Sequence, residues 1–124
     1  CNKFYGTAVL VGERTAQLAS DAYVFREVDR VQLRSKPAPI RLLELLGRRG
    51  EISARVQEQL ALYEQALTAY HQRRFDEALA LFERGSAEYQ DSVSAVYAGR
   101  SRRSLVTAPA DDWDGVFEVG RTEL

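Results

Sequence analysis

The sequence predicts an α+β chain in two parts, strand-rich first and helical after. Residues 7 to 46 hold short β-branched and apolar runs set off by glycine and proline, the mark of strands. From residue 53 the apolar residues instead recur every three or four positions, the period of one helix face. Between the two patterns stands Gly47-Arg48-Arg49-Gly50, a polar, glycine-flanked stretch suited to a boundary. A content of 45% apolar and 28% charged residues is that of a folded chain, so disorder throughout is excluded.

Thr7-Ala8-Val9-Leu10-Val11 after Gly6 is the first expected strand, and Glu13 to Ala19 one or two helical turns. Tyr23 to Val28 and Val31 to Leu33 carry β-formers with partial alternation, and Ser35-Lys36-Pro37-Ala38-Pro39 interrupts them. Ile40 to Leu46 resumes as an apolar run. Two antiparallel strands joined by the proline loop are expected. Because an isolated hairpin is marginal in water, they are expected to need a larger sheet that this chain does not contain.

In the second part Leu60, Tyr63, Leu67 and Tyr70 fall on one face of a helix from about Ser53 to His71. Arg73-Arg74 is the expected turn. Phe75, Ala78, Leu79, Phe82 and Tyr89 define a second helix ending near Gln90. Asp91 and Ser92 can cap a third, carrying Val93, Val96, Tyr97 and Leu105, with Pro109 beyond its end. Gly85 inside the second helix fits either a close helix crossing or local fraying. The boundaries expected are 1–47, a linker at 48–52, a helical region at 53–106 and an acidic, Trp-containing tail at 107–124.

Charge sets limits on function. Seventeen basic and 18 acidic side chains give a net charge of −1, which calls for neither nucleic acid nor an anionic membrane as partner. The basic run Arg100, Arg102 and Arg103 reads as a solvated helix face. His71, the sole histidine, has no Cys or His cluster beside it and is expected to be exposed at a helix end. Glu27, Asp29 and Glu44 are assigned surface and loop roles, with Glu27 and Asp29 alternating on one strand face. The tail carboxylates Asp111, Asp112, Asp114 and Glu118 are expected to fold back on the arginine run, anchored by Trp113. Cys1 is the single cysteine, so no internal disulfide is available. The start on Cys1 rather than methionine suggests a fragment of a longer protein.

Two resemblances carry the functional expectation. The helices are similar to a tetratricopeptide repeat over about residues 60 to 104, with Tyr63 and Tyr97 separated by the repeat length of 34, and Ala66 and Ala78 where two helices must approach. The first part is more specific. Asn2-Lys3-Phe4-Tyr5-Gly6, Val9-Leu10-Val11, Glu13-Arg14-Thr15, Phe25-Arg26-Glu27-Val28-Asp29, Arg34-Ser35-Lys36, Pro39-Ile40 and Leu43-Glu44-Leu45 follow in order. This series resembles the end of the catalytic domain of class III adenylyl and guanylyl cyclases. Pro109-Ala110-Asp111-Asp112-Trp113-Asp114-Gly115-Val116 is similar to the ending of some bacterial members.

The resemblance implies a ferredoxin-like cyclase domain acting as a homodimer, which converts ATP to cyclic AMP and pyrophosphate. It implies two Mg²⁺ or Mn²⁺ ions held by aspartates upstream of Cys1, so that the fragment itself is inactive. It places Arg34 and Lys36 at the substrate phosphates; Arg34 keeps the positive charge of the family's first lysine there, while Ser35 stands in place of a glycine. It also implies a position on the cytoplasmic side, with any membrane attachment in segments upstream. The alternative is a helical interaction or regulatory module without catalysis.

Overall fold

A computed structural model describes residues 9–32, 38–111, 113 and 115, and the backbone of 117–118. The protein is α+β. Its elements in chain order are β1 (Leu10–Gly12), α1 (Glu13–Ala19), β2 (Tyr23–Gln32), β3 (Ile40–Arg48), α2 (Ala54–His71), α3 (Phe75–Tyr89), α4 (Ser92–Val106) and β4 (Phe117–Glu118). They form two compact units, one holding the described residues up to Ile52 together with β4, the other Ser53–Gly115.

In the first unit the strands lie in the order β1-β3-β2-β4. β3 runs antiparallel to both β1 and β2, and β4 runs parallel to β2 at Val31 and Gln32. The expected hairpin therefore exists, but it is flanked within this chain by β1 and β4 rather than left to a sheet supplied from outside. The two β-forming stretches expected in 23–33 are one continuous strand. They read as separate because the strand is irregular: Glu27 faces Leu43 and Asp29 faces Leu42, so Val28 is an extra residue, a β-bulge. A second irregularity falls between Val24 and Phe25. Gly12, in extended conformation, starts α1, whose Ala16 is buried. The chain is held at the turn after α1 by Arg49, whose guanidinium donates to the Ser20 carbonyl at 2.7 and 3.1 Å.

The second unit is three helices around aromatic rings. Ser53 caps α2, its hydroxyl accepting from the Val56 amide at 3.2 Å, and so satisfies a first-turn donor the helix cannot. Arg73, at φ +65°, turns the chain into α3, whose first turn carries Asp76 and Glu77 at the positive end of the helix dipole. Asp91 caps α4: one carboxylate oxygen accepts from the Val93 amide at 3.2 Å and the other from the Ser94 hydroxyl at 2.7 Å. Phe82 stacks on Tyr97 at 5.0 Å between centroids, and Tyr70 meets Tyr97 edge-on at 5.1 Å. Tyr63 and Tyr97, the pair 34 residues apart, touch edge-on at 6.2 Å.

Small residues let the helices approach. Ala66, Ala69 and Ala78 are fully buried. A Cβ at Gly85 would stand 2.9 Å from the Ser94 hydroxyl oxygen, so α3 and α4 touch there and the close crossing, not fraying, accounts for the glycine. Leu105 departs from the expected apolar face. It is exposed with its neighbour Val106 at the end of α4, past the reach of α3.

Candidate functional site

The expected phosphate-binding residues Arg34 and Lys36 lie outside the described residues, as do residues 1–8 with the Asn2-Lys3-Phe4-Tyr5-Gly6 series. What is described is the structure that bounds the loop: the last strand pair before it is Val31↔Ile40, at the end of β2 and the start of β3. Close behind that pair, on the face of the sheet that carries α1, stands a cluster of four charged side chains. Glu27 Oε1 accepts from Arg30 Nε at 2.8 Å and from Arg41 Nε at 2.8 Å. Arg41 also reaches Glu13, the first residue of α1, at 3.0 Å. The cluster thus spans β2, β3 and α1.

The bulge makes this arrangement possible. Side chains alternate across a regular strand, so residues three apart point to opposite faces. Val28 adds one residue to β2, and Arg30 therefore returns to the face of Glu27, opposite Arg41. The same insertion corrects the expectation that Glu27 and Asp29 share a face. Asp29 pairs with Leu42 on the other side and is only 1% exposed, and its Oδ1 accepts from the Arg30 amide at 2.9 Å. Glu44 is likewise no loop residue. It faces Arg26 directly across the hairpin and binds it at 2.7 Å, with the arginine buried.

Burial alone would raise the Glu27 pKa, but the hydrogen bonds and positive charges of Arg30 and Arg41 outweigh it and hold the carboxyl below its usual range. The hydrogen bond from Glu27 outweighs burial at Arg41 and raises its pKa in turn. The folded-state value of Glu27 lies under the unfolded one, so its contribution to stability is present above pH 4.5, the ordinary value, and disappears as pH falls through the folded value. In urea titrations across pH, the difference in stability between the wild type and Glu27→Gln should stay constant from about pH 7 to 5 and close below that. A constant gap down to pH 2 would show that the charge on Glu27 contributes nothing.

Beside the cluster, α1 and the sheet leave an open groove of about 300 Å³, with Ala16, Phe25 and Leu43 as its apolar lining and Arg41 and Arg49 at its charged margins. Both arginines already bind groups of this chain. Among the described residues no group of three or more His, Cys, Asp or Glu side chains is placed to hold a metal ion.

The second unit corrects the tail expectation in its details. The tail does fold back, but onto the α2–α3 turn rather than the arginine run of α4. Trp113 packs edge-on against Tyr70 at 5.2 Å and beside Phe75 at 5.8 Å. Arg73 donates to the carbonyls of Pro109 at 2.7 Å and Ala110 at 3.0 Å, and its guanidinium lies 5.9 Å from the Trp113 ring centre. Gly115, at φ +89°, sits so close to His71 that a Cβ would meet the imidazole at 2.8 Å, so only glycine fits. His71 is accordingly half-buried rather than exposed. Nor is the arginine run uniformly solvated: Arg100 is buried with its guanidinium 5.1 Å from the Tyr97 ring centre, and Arg102 pairs with Glu83 at 3.1 Å. Asp111 is exposed, and the side chains of Asp112, Asp114 and Glu118 lie outside the described residues.

Trp113→Ala should free the tail. Limited proteolysis after Thr107 is expected to quicken about tenfold, the equivalent of ~1.4 kcal/mol in the local opening equilibrium. Unchanged cleavage would mean that Arg73 alone holds the segment.

Sequence reasoning missed Arg26, Arg30, Arg41 and Arg73. The first three were hidden because no local pattern marks a bulge at Val28. Arg73 was visible only as part of a turn. No described helix is long and apolar enough to cross a membrane. The sequence matches no protein-family model, and no curated protein and no solved structure matches it significantly.

Proposed function

We propose that this chain is the C-terminal portion of a class III nucleotidyl cyclase that makes cyclic AMP and pyrophosphate from ATP, and that it works as part of a homodimer on the cytoplasmic side of the membrane. One observation carries the reading: the ordered series of motifs from Asn2 to Leu46, with the Trp113-Asp114-Gly115-Val116 ending as a second match. The fold is compatible with it. Glu13-Arg14-Thr15 opens a short helix, Phe25 to Asp29 lie on β2, and Ile40 to Leu46 lie on the antiparallel β3. On this reading the first unit is the end of a ferredoxin-like domain and the helices are a tetratricopeptide-like extension.

The two metal ions would be held outside this chain. The described residues offer them no cluster, and no step of the chemistry is assigned here to a metal. The part left to this chain is recognition of the triphosphate. Arg34 can bind phosphate oxygens in a bidentate fork and Lys36 as a point charge, each through charge-assisted hydrogen bonds. A second reading, a partner-binding helical module without catalysis, is favoured by one observation, the adjacent exposed Leu105 and Val106.

The test is to read the coding DNA upstream of Cys1, express the whole product and assay cyclic AMP from ATP with Mn²⁺. Two aspartates on separate predicted strands and an Asn-x-x-x-Arg pair are expected upstream. Arg34→Ala with Lys36→Ala is expected to lower kcat/KM about 100-fold, as loss of charge-assisted contacts of ~1.5–3 kcal/mol requires. An upstream region without those residues, and a product that forms no cyclic AMP, would leave the interaction module in its place.

A further inference from the structure

The cluster around Glu27 lies where the two arms of the hairpin leave the sheet. Arg30, one of its members, directly precedes Val31, whose pairing with Ile40 is the last before the loop. Arg41, another member, directly follows Ile40 on the other arm. Glu27 Oε1 receives both guanidinium groups, one from each arm, and Arg41 carries the link on to the start of α1. A one-residue change of register sends every later side chain to the opposite face of a sheet. The Val28 bulge is such a change, and Glu27 and Arg30 clasp each other across it.

We propose that Glu27 is a positioning residue for the substrate loop: by clasping Arg30 and Arg41 around the Val28 bulge, it fixes the face and register from which Arg34 and Lys36 meet a nucleoside triphosphate. This rests on the cyclase reading. Glu27 itself touches no substrate. Its effect passes through two cationic side chains whose distance from the phosphates must be held closely, since a displacement of about 1 Å can cost on the order of 100-fold in rate. An ordinary surface ion pair would have no such consequence, and a merely structural one would act regardless of what the loop carries.

That difference defines the experiment. In the whole expressed protein, kcat and KM for ATP are measured for Glu27→Gln alone and in the Arg34→Ala/Lys36→Ala background. Inhibition by inorganic tripolyphosphate, which probes the phosphate site alone, is compared with inhibition by adenosine, which carries no phosphate. Glu27→Gln is expected to lower kcat/KM about tenfold in the otherwise unchanged protein and to weaken tripolyphosphate by a similar factor. Adenosine should inhibit as before. In the double-alanine background Glu27→Gln should add almost nothing, because the residues it positions are gone.

An equal loss in both backgrounds, or equal weakening of both inhibitors, would overturn the proposal in favour of a structural role; no loss in either would overturn it outright. Should Glu27→Gln fail to fold, Glu27→Asp keeps the charge with a shorter reach and is expected to give a smaller loss with the same dependence on background. Failure of the cyclase reading shows separately, as a wild type without activity or a double-alanine variant without effect.

Discussion

Phe82→Ala is expected to remove most of the stability of the helical unit. The ring is completely buried, stacks on Tyr97 and meets Tyr63 and Tyr70 edge-on at 6.1 and 6.3 Å. Truncating such a ring costs about 3–5 kcal/mol, since the transfer free energy is lost and the cavity collapses only in part. A unit of about 60 residues has roughly 3–9 kcal/mol in total. The urea midpoint of the helical signal in circular dichroism should therefore fall steeply. The neighbouring Leu79, half-buried on the same helix, serves as the comparison, and Leu79→Ala should cost less. Equal effects at the two positions would mean that the aromatic stack is not the centre of the unit.

The second large effect is expected in the sheet. Glu44→Leu leaves the Arg26 guanidinium buried without the carboxylate that faces it. Removing one partner of a buried ion pair costs about 3–5 kcal/mol, because the desolvated charge persists while its main compensation is gone. Arg26→Met combined with Glu44→Leu removes both charges and should recover most of that loss, as apolar residues of similar volume fill the site. Urea unfolding of the four chains, wild type, each single variant and the double, closes a mutant cycle. Additive single effects would show that the pair is not coupled, despite its 2.7 Å contact.

Much of the local structure was legible in the chain. The helix beginnings at Ser53 and Asp91 follow from side chains that accept amide hydrogen bonds, and the turn at Arg73-Arg74 from the break in the apolar period. The hairpin followed from two β-rich runs about a proline loop. The small residues Ala66, Ala78 and Gly85 marked close helix contacts because nothing larger fits between packed helices. The candidate site was less legible. Arg34 and Lys36 came from resemblance alone, and the cluster behind them was not foreseen, since Glu27, Arg30 and Arg41 meet only once the bulge and the strand pairing exist.

What the sequence by itself determined is the kind and place of each element, because capping, periodicity and turn chemistry act between residues a few positions apart. Only the tertiary structure decided which charges meet and which side chains are covered. One extra residue at Val28 turned Glu27 toward Arg41 and buried Asp29 on the other face. The return of the tail set Trp113 on Tyr70 and Phe75, about 40 residues away in the chain, and brought Gly115 against His71. The reason is range: backbone pattern is set by local sterics and hydrogen bonding, whereas burial and pairing depend on which distant segment arrives, and no short window of sequence contains both partners.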